Sequence, residues 1–499
     1  LIAITSNNGS EIWKFKPTIE GIDPTTYATH DFITHAWDIK VINDINDDSI
    51  PDIAITSWFR LIVVSGKDGN ELWINSNDFI NDIWKLEVLE DINGNGFDTI
   101  IAGSEEGKLG AFDSKDGTIL WSHPIDDTII PTITMFGSGT EEVPNSIDDI
   151  KIISDVDHDG TDDVLIATDD GYLRIISGLL GFELDNAMCF NMTDIIVPIW
   201  SSGLSTSPYT SVKRIFMKSG VKIYEIPDIN NDNIDDFISI ACDLDYTTPL
   251  EYLIYGKIFN INSESGLEKI NITTSFNWSI QEFYMSSYPE IIIHESDIQL
   301  YYYSYIFNYP ITAVIERYSI DDKESQNSTT VYEDNDEYDF SFYETYIPEK
   351  EEGHYLLNIG DVNSDGVDDL FAISANGRYL CIDSKNNNTI WVRTSSKALE
   401  TELIKIEDLN NDGLEDFLIK NIGSFEPSWI SSDGQEETTE NQIINELYTI
   451  DAKTGNIIWS FNIPSPQYYE GLRDLLNIGD INDDDIDDYA AWIIPSEIP

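Results

Sequence analysis

The sequence predicts an all-β chain folded as an eight-bladed β-propeller. Three observations carry this prediction. An acidic loop between two strand-like segments recurs seven times. A strand–turn–strand unit, usually ending in Trp, follows most of these loops. Each end of the chain holds one half of that combination, and the two halves are complementary.

The acidic loop sets the register. Its first place is Asp44, Asp91, Asp155, Asp228, Asp361, Asp408 and Asp480. The third is Asn46, Asn93, Asp157, Asn230, Asn363, Asn410 and Asn482. The fifth is Asp48, Asn95, Asp159, Asp232, Asp365, Asp412 and Asp484. The seventh, counted for its backbone carbonyl, is Ile50, Phe97, Thr161, Ile234, Val367, Leu414 and Ile486. The ninth is Asp52, Thr99, Asp163, Asp236, Asp369, Asp416 and Asp488. The sixth place must turn sharply; it is Gly96, Gly160, Gly366 and Gly413 in four loops, with Ser49 the least suited. Strand-like runs flank each loop, such as WDIKVIN before and DVLIAT after.

The second repeat reads LIVVSGKDGNELW at 61–73, LGAFDSKDGTILW at 109–121, YLCIDSKNNNTIW at 379–391 and LYTIDAKTGNIIW at 447–459. Gly, or Asn387 once, stands four residues before the Trp. A weaker copy at 173–185 has Asp185 instead of Trp. One full unit is therefore strand A, acidic loop, strand B, link, strand C, turn, strand D. A four-stranded sheet cannot hide both faces alone, and radial stacking hides them.

Residues 1–13 match the C–D half and 475–493 match the A–B half, so the ends are expected to share a blade and close the ring. Other blades start near Trp37, Ile83, Ile150, Val221, His354 and Glu402. A unit without the acidic loop lies at 273–320, with YPEIII (288–293) as strand B and IQLYYYSY as strand C. The count is eight, with seven as the alternative. The whole chain, 1–499, forms one domain, with insertions at 17–35, 125–147, 187–218, 320–352 and 422–444.

Oxygens at alternate places suit a hard cation. Ca²⁺ takes six to eight oxygens at ~2.3–2.6 Å, whereas Zn²⁺ would want His or Cys. The loops offer only His158, at a non-ligand place. An EF-hand would close with Glu at the twelfth place between helices. Here that place is Ile55, Ala102, Ile166, Ser239, Ala372, Ile419 and Ala491, and the flanks alternate like strands. Up to seven Ca²⁺ sites are expected, with a structural role. The loop at 155, with four carboxylates, should bind most tightly. The loop at 91 should bind most weakly, because Asp98 lies one place out of register.

With 499 residues and 41% hydrophobic content, the chain can bury a large core. The formal net charge of -65 repels nucleic acid and anionic lipid and attracts cations. No apolar run approaches the ~20 residues that cross a bilayer. The three cysteines, Cys189, Cys242 and Cys381, form no CxxC. Sequons at Asn8, Asn191, Asn271, Asn277, Asn327 and Asn387 are candidate N-glycosylation sites and favour an exported protein. The start at Leu1, without Met and inside a strand, reads as a mature or excised part of a longer protein.

The acidic loop between strands resembles the FG-GAP repeats of integrin α-subunit propellers. The C–D half, as in IDAKTGNIIW, resembles repeats of quinoprotein (PQQ) dehydrogenase-like propellers. The first resemblance implies calcium on the loop residues named above. The second implies that Trp13, Trp73, Trp121, Trp391 and Trp459 dock blade against blade. A quinoprotein site commonly has adjacent cysteines, and no Cys-Cys occurs here, so no PQQ is expected.

The insertions fall at B–C or D–A links, at the sheet ends opposite the acidic loops, where long loops on a rigid scaffold carry recognition. Trp200, Tyr343, Tyr346, Phe425 and Trp429 are the candidate ligand face, for a protein or glycan. Further domains of the same chain are expected partners. The leading expectation is a non-enzymatic extracellular or cell-surface recognition module. The alternatives are a propeller enzyme, either a polysaccharide lyase or a quinoprotein-like dehydrogenase, and a purely structural assembly subunit.

Overall fold

A computed structural model describes residues 1–5, 10–15, 38–57, 60–75, 83–125, 130–133, 140–143, 145–168, 170–188, 196–197, 212–213, 222–226, 236–245, 251–261, 270–281, 290–294, 297–306, 311–319, 324–334, 355–374, 378–394, 400–425, 428–430, 436–438, 442–462, 472–482 and 486–493. Every regular element among them is a strand. The strands form eight four-stranded antiparallel sheets and three two-stranded hairpins.

In chain order, sheet 1 is Ile39–Ile42, Asp52–Ser57, Arg60–Val64 and Glu71–Asn75. Sheet 2 is Ile83–Leu89, Thr99–Ser104, Lys108–Asp113 and Ile119–Pro124. Sheet 3 is Ile147–Ile153, Asp163–Thr168, Tyr172–Ile176 and Glu183–Met188. Sheet 4 is Lys222–Ile226, Asp236–Asp245, Glu251–Ile261 and Ile270–Gln281. Sheet 5 is Glu290–His294, Asp297–Ile306, Ile311–Ser319 and Glu324–Asp334. Sheet 6 is Tyr355–Asn358, Leu370–Ser374, Arg378–Asp383 and Asn388–Thr394. Sheet 7 is Glu400–Ile406, Asp416–Phe425, Gln442–Ile450 and Ile457–Asn462. Sheet 8 joins Leu472–Gly479 and Asp488–Ile493 to Ile2–Ile4 and Glu11–Lys14.

Sheet 8 is the shared terminal sheet that the sequence predicts. Ile2, Ala3 and Ile4 pair antiparallel with Ala491, Ala490 and Tyr489. Ala3, Ile4, Tyr489 and Ala490 are all buried.

The chain divides into two compact units. One comprises 14–281 with 476–481; the other comprises 1–13, 282–475 and 482–499. Within each, neighbouring sheets pack face to face in chain order, as propeller blades do. In the first unit, one apolar cluster joins Ile42, Ala54 and Val63 of sheet 1 to Leu86, Ile100 and Phe112 of sheet 2. Further clusters join sheet 2 to sheet 3 and sheet 3 to sheet 4. In the second unit, Tyr301 of sheet 5 packs on Leu370 and Leu380 of sheet 6, and Phe371 and Trp391 of sheet 6 pack on Phe417 and Tyr448 of sheet 7. The B strands of sheets 2 and 3 are buried throughout because both faces are covered.

The strand-D Trp makes the inter-sheet clasp. The Trp73 indole N–H donates to the Ser114 carbonyl of the next sheet at 2.8 Å, Trp121 to Gly178 at 2.8 Å and Trp391 to Ala452 at 2.9 Å. Each ring lies on the turn glycine of that next sheet. A Cβ at Gly117 would meet Trp73 at 2.9 Å, one at Gly181 would meet Trp121 at 2.4 Å, and one at Gly455 would meet Trp391 at 2.6 Å. These glycines also hold positive φ, as does Asn387 at the equivalent place (φ 60). The docking role expected for Trp73, Trp121 and Trp391 is therefore present. Trp459 packs against the core of Ile4, Leu418 and Tyr489, and Trp13 is buried.

Several sequence expectations need correction. YPEIII is not a strand B. Glu290–His294 is the first strand of sheet 5, and IQLYYYSY lies in the second, not in strand C. Sheet 5 then runs on to Asp334, so much of the expected 320–352 insertion is its fourth strand, Glu324–Asp334. Without an acidic loop to fix register, an apolar run shows that a strand exists but not its place in the sheet. The 422–444 insertion is also shorter than expected. Strand B of sheet 7 continues to Phe425 and pairs with a strand C that starts at Gln442, and a hairpin of Ser428–Ile430 and Glu436–Thr438 lies between them. The 125–147 insertion contains the hairpin of Ile130–Ile133 and Thr140–Val143, and Ile147 already belongs to sheet 3.

Candidate metal centres on the acidic loops

The first-place Asp organises five of the loops among the described residues. Asp44 Oδ1 accepts the N–H of Asn46 and of Asp48, both at 3.1 Å, and Oδ2 accepts that of Ser49 at 2.6 Å. Asp91, Asp155, Asp361 and Asp408 repeat the pattern, with Oδ2 on the N–H of Gly96, Gly160, Gly366 and Gly413. The fifth-place side chain then accepts the seventh-place N–H: Asp48 from Ile50, Asn95 from Phe97, Asp159 from Thr161, Asp365 from Val367 and Asp412 from Leu414. The third-place oxygens of Asn46, Asn93 and Asp157 accept the fifth-place N–H. Five loops thus share one coiled turn that turns side-chain oxygens inward.

The turn needs two residues of positive φ. The sixth place has φ 89 at Gly96, 96 at Gly160, 88 at Gly366, 93 at Gly413 and 73 at Ser49. The fourth place is left-handed too, at Asp47, Gly94, His158, Ser364 and Asn411. Sequence reading missed this second position. Its signal was the alternation of Asp, Gly, His, Ser and Asn there, with no β-branched residue.

The ninth-place carboxylate has a double task. Asp52 accepts the second-place N–H of Ile45 at 2.8 Å and the N–H of Gly66, in the C–D turn, at 3.2 Å. Asp163 does the same with Val156 and Gly178, Asp369 with Val362 and Ser384, and Asp416 with Leu409 and Ala452. These four are fully buried, as are Asp236 and Asp488. Burial pushes Asp52, Asp163, Asp369 and Asp416 up to about 6, despite those N–H donors. Asp44 and Asp48 add charge repulsion at Asp52, and Asp155 and Asp157 add it at Asp163. By contrast, the Gly96 N–H leads a set of donors that hold Asp91 below the ordinary carboxylate range.

The loop at 91 differs, as its sequence suggests. Thr99 stands at the ninth place, and its hydroxyl accepts the Ile92 N–H at 3.4 Å. Asp98 accepts the N–H of Asn43 from sheet 1 at 2.7 Å, so it serves the neighbouring sheet. A carboxylate comes instead from Asp113, at the end of strand C. It accepts the Asn93 amide at 2.8 Å and the Asn95 amide at 2.6 Å. Sequence reading missed Asp113, because its strand is remote from the loop in the chain.

The loop at 155 gathers the most charge. Ligand oxygens of Asp155, Asp157 and Asp159 lie within 4.8 Å of one another. With Asp163 engaged beneath them, this all-oxygen donor set fits a hard divalent cation and offers nothing to a thiophilic one.

Asp228, Asn230, Asp232, Ile234 and Asp484 lie outside the described residues, as do Trp200, Tyr343, Tyr346, Asn8 and Asn191. In the loop at 480, the Asn482 amide donates to both oxygens of Asp488 at 3.0 Å. Phe425 ends a strand of sheet 7 and Trp429 lies in the adjoining hairpin, so these two candidate ligand-face residues share one link. Asn271, Asn277 and Asn327 lie in strands, and Asn387 lies in a turn. Cys381 is a buried free thiol. No helix among the described residues is long and apolar enough to cross a membrane.

No family model matches the chain, and no curated protein matches it. Among solved structures, the chain is similar to BBS1N, crystallised in complex with ARL6DN, at TM-score 0.38 and 9% identity over 80% of this chain and 92% of that one. It is similar to Saccharomyces cerevisiae Sqt1 at TM-score 0.42 and 10% identity over 74% and 78%. It is also similar to BamB from Moraxella catarrhalis, at TM-score 0.36 and 11% identity over 84% and 93%.

Proposed function

We propose that the chain is a non-enzymatic, calcium-binding eight-bladed β-propeller, a recognition or adhesion module of a larger extracellular or cell-surface protein. The observation that carries this reading is the single loop geometry repeated in five sheets, with oxygens turned inward and three carboxylates meeting at Asp155, Asp157 and Asp159. Ca²⁺ there cancels carboxylate repulsion and ties strand A to strand B, so binding free energy becomes folding free energy. Weak sites of this kind fill at the high free calcium outside cells, which agrees with a net charge of -65 and six sequons. Eight four-stranded sheets, one shared by both termini, support the blade count. A protein or glycan partner would bind at the ends carrying the B–C and D–A links, away from the cation loops.

The test is thermal melting of the full chain in chelator and in millimolar CaCl₂, with calorimetric titration of Ca²⁺. A higher melting temperature with calcium and saturable uptake are expected. Identical melts with no heat of binding would overturn the reading. A glycan array and pull-down with the calcium-loaded chain then test the partner.

A further inference from the structure

The loop at 91 closes on donors and a carboxylate that the chain itself supplies. Its fifth place is Asn95, whereas all six sibling loops have Asp there, and its ninth place is Thr99. Asp91 takes four backbone N–H groups, those of Asn93, Gly94 and Asn95 on Oδ1 and that of Gly96 on Oδ2. The side-chain amides of Asn93 and Asn95 both donate to Asp113 Oδ2, at 2.8 and 2.6 Å. Asp113 is buried, and its Oδ1 caps the C–D turn by accepting the Lys115 N–H at 2.8 Å. Asp383 and Asp451 hold the same place in sheets 6 and 7 and make the same cap, to Lys385 and Lys453. Their second oxygens stay in the turn, on the Asn386 amide and the Thr454 hydroxyl. In sheet 2 the matching turn residue is Asp116, which has no proton to donate and takes the Thr118 N–H instead. Asp113 Oδ2 is thereby left to the loop.

We infer that Asp113 is a positioning residue that locks the loop at 91 without metal, so that sheet 2 keeps its A–B turn whether or not calcium is present. Two amides do there what a cation would do in the sibling loops: they bring positive charge density to a buried carboxylate. At 44 and 480 the third-place amide also donates to a buried carboxylate, that of Asp52 or Asp488. The fifth place of those loops adds another carboxylate, Asp48 or Asp484, where the loop at 91 adds a second donor. A cation could reach Asp113 only by breaking both amide bonds. In return it would find a loop with Asp at one ligand place, where the siblings have three or four. The inference rests on the calcium reading above and deepens it, by taking one loop out of the cation-controlled set.

Two variants of the full chain, melted in high salt with chelator and again with millimolar CaCl₂, test the lock. Asp113→Asn keeps the turn cap and removes the charged acceptor. It should lower the melting temperature by about 1–2 °C, and equally in both conditions. Asn95→Asp puts the sibling residue at the fifth place and sets a carboxylate against Asp113. It should melt below wild type in chelator, regain that loss in calcium and take up one more Ca²⁺ by calorimetry. A loss at Asp113→Asn confined to calcium would make Asp113 an ion ligand and overturn the lock. Melts of Asp113→Asn unchanged in both conditions would overturn it too, as would an Asn95→Asp melt equal to wild type in chelator. A wild type that takes up no calcium would end the functional reading alone, and the two chelator melts would still decide the lock.

Discussion

The Tyr301 hydroxyl donates to the Ser384 carbonyl at 3.0 Å, and both residues are buried. Ser384 occupies the turn place that Ser114, Gly178 and Ala452 fill elsewhere, where a Trp indole of the preceding sheet donates. Sheet 5 has no such Trp, so a Tyr on a different strand makes the same clasp. Tyr301→Phe should cost about 1 kcal/mol through that bond alone, whereas Trp121→Ala should cost about 3–5 kcal/mol through lost packing as well. Denaturant unfolding of both variants checks the contrast, and equal losses would contradict it.

Gly178 and Gly181 offer a sharper test of the clasp. A Cβ on Gly178 would meet the Asp162 carbonyl oxygen at 1.9 Å, and one on Gly181 would meet the Trp121 ring at 2.4 Å with φ at 71. Backbone cannot yield as a side chain can. Gly178→Ala should therefore destabilise by about 2 kcal/mol or more, against about 1 kcal/mol for alanine at the exposed, open Gly94. Chemical melts of the two variants side by side decide the matter.

Asp157 separates cation binding from folding. Its third place is Asn in sibling loops at Asn46, Asn93 and Asn363, so Asp157→Asn is compatible with the turn. The variant should melt like wild type in chelator yet gain fewer degrees from calcium. Equal calcium-induced gains would show that the trio does not hold the ion.

Stability should respond to pH in opposite senses with and without cation. Asp52, Asp163, Asp369 and Asp416 titrate near 6 when folded, above the ~3.9 of an unfolded Asp. Between those values the folded chain holds more protons, so stability falls as pH rises from about 4 to about 6 and then levels off. Cation-free protein should thus melt higher at pH 5 than at pH 7. General repulsion from the -65 charge acts the same way but is screened by salt, so the slope that persists in high salt belongs to the buried carboxylates. With calcium, protons compete with the ion and the order should reverse. A cation-free melt that is flat or rising over that range would contradict the assignment.

The sheet order, the shared terminal sheet and the Trp docking were legible because each rests on a repeat, where several copies fix one register. Sheet 5 was misread for want of that anchor, and Tyr301 could not be seen because its role depends on which strand faces Ser384. In the loops, the places whose side chains shape the turn were readable from alternate acids. The double use of Asp52 and its equivalents was not, since the second donor lies on another turn. The same holds for Asp113, where a substitution at Thr99 is compensated from a strand end that neighbours it only in space.

The pairing of Ile4 with Tyr489 has a consequence for how the molecule is made. Partners separated by more than 480 residues cannot meet until the later strand has been made. Until then Ile2–Ile4 waits with an unfilled edge, and its buried residues stay open to solvent. Closing this sheet is thus a long-range zip-up, slow for its contact order, and a nascent chain stalled before Asp488 would carry an adhesive strand that a second copy could capture.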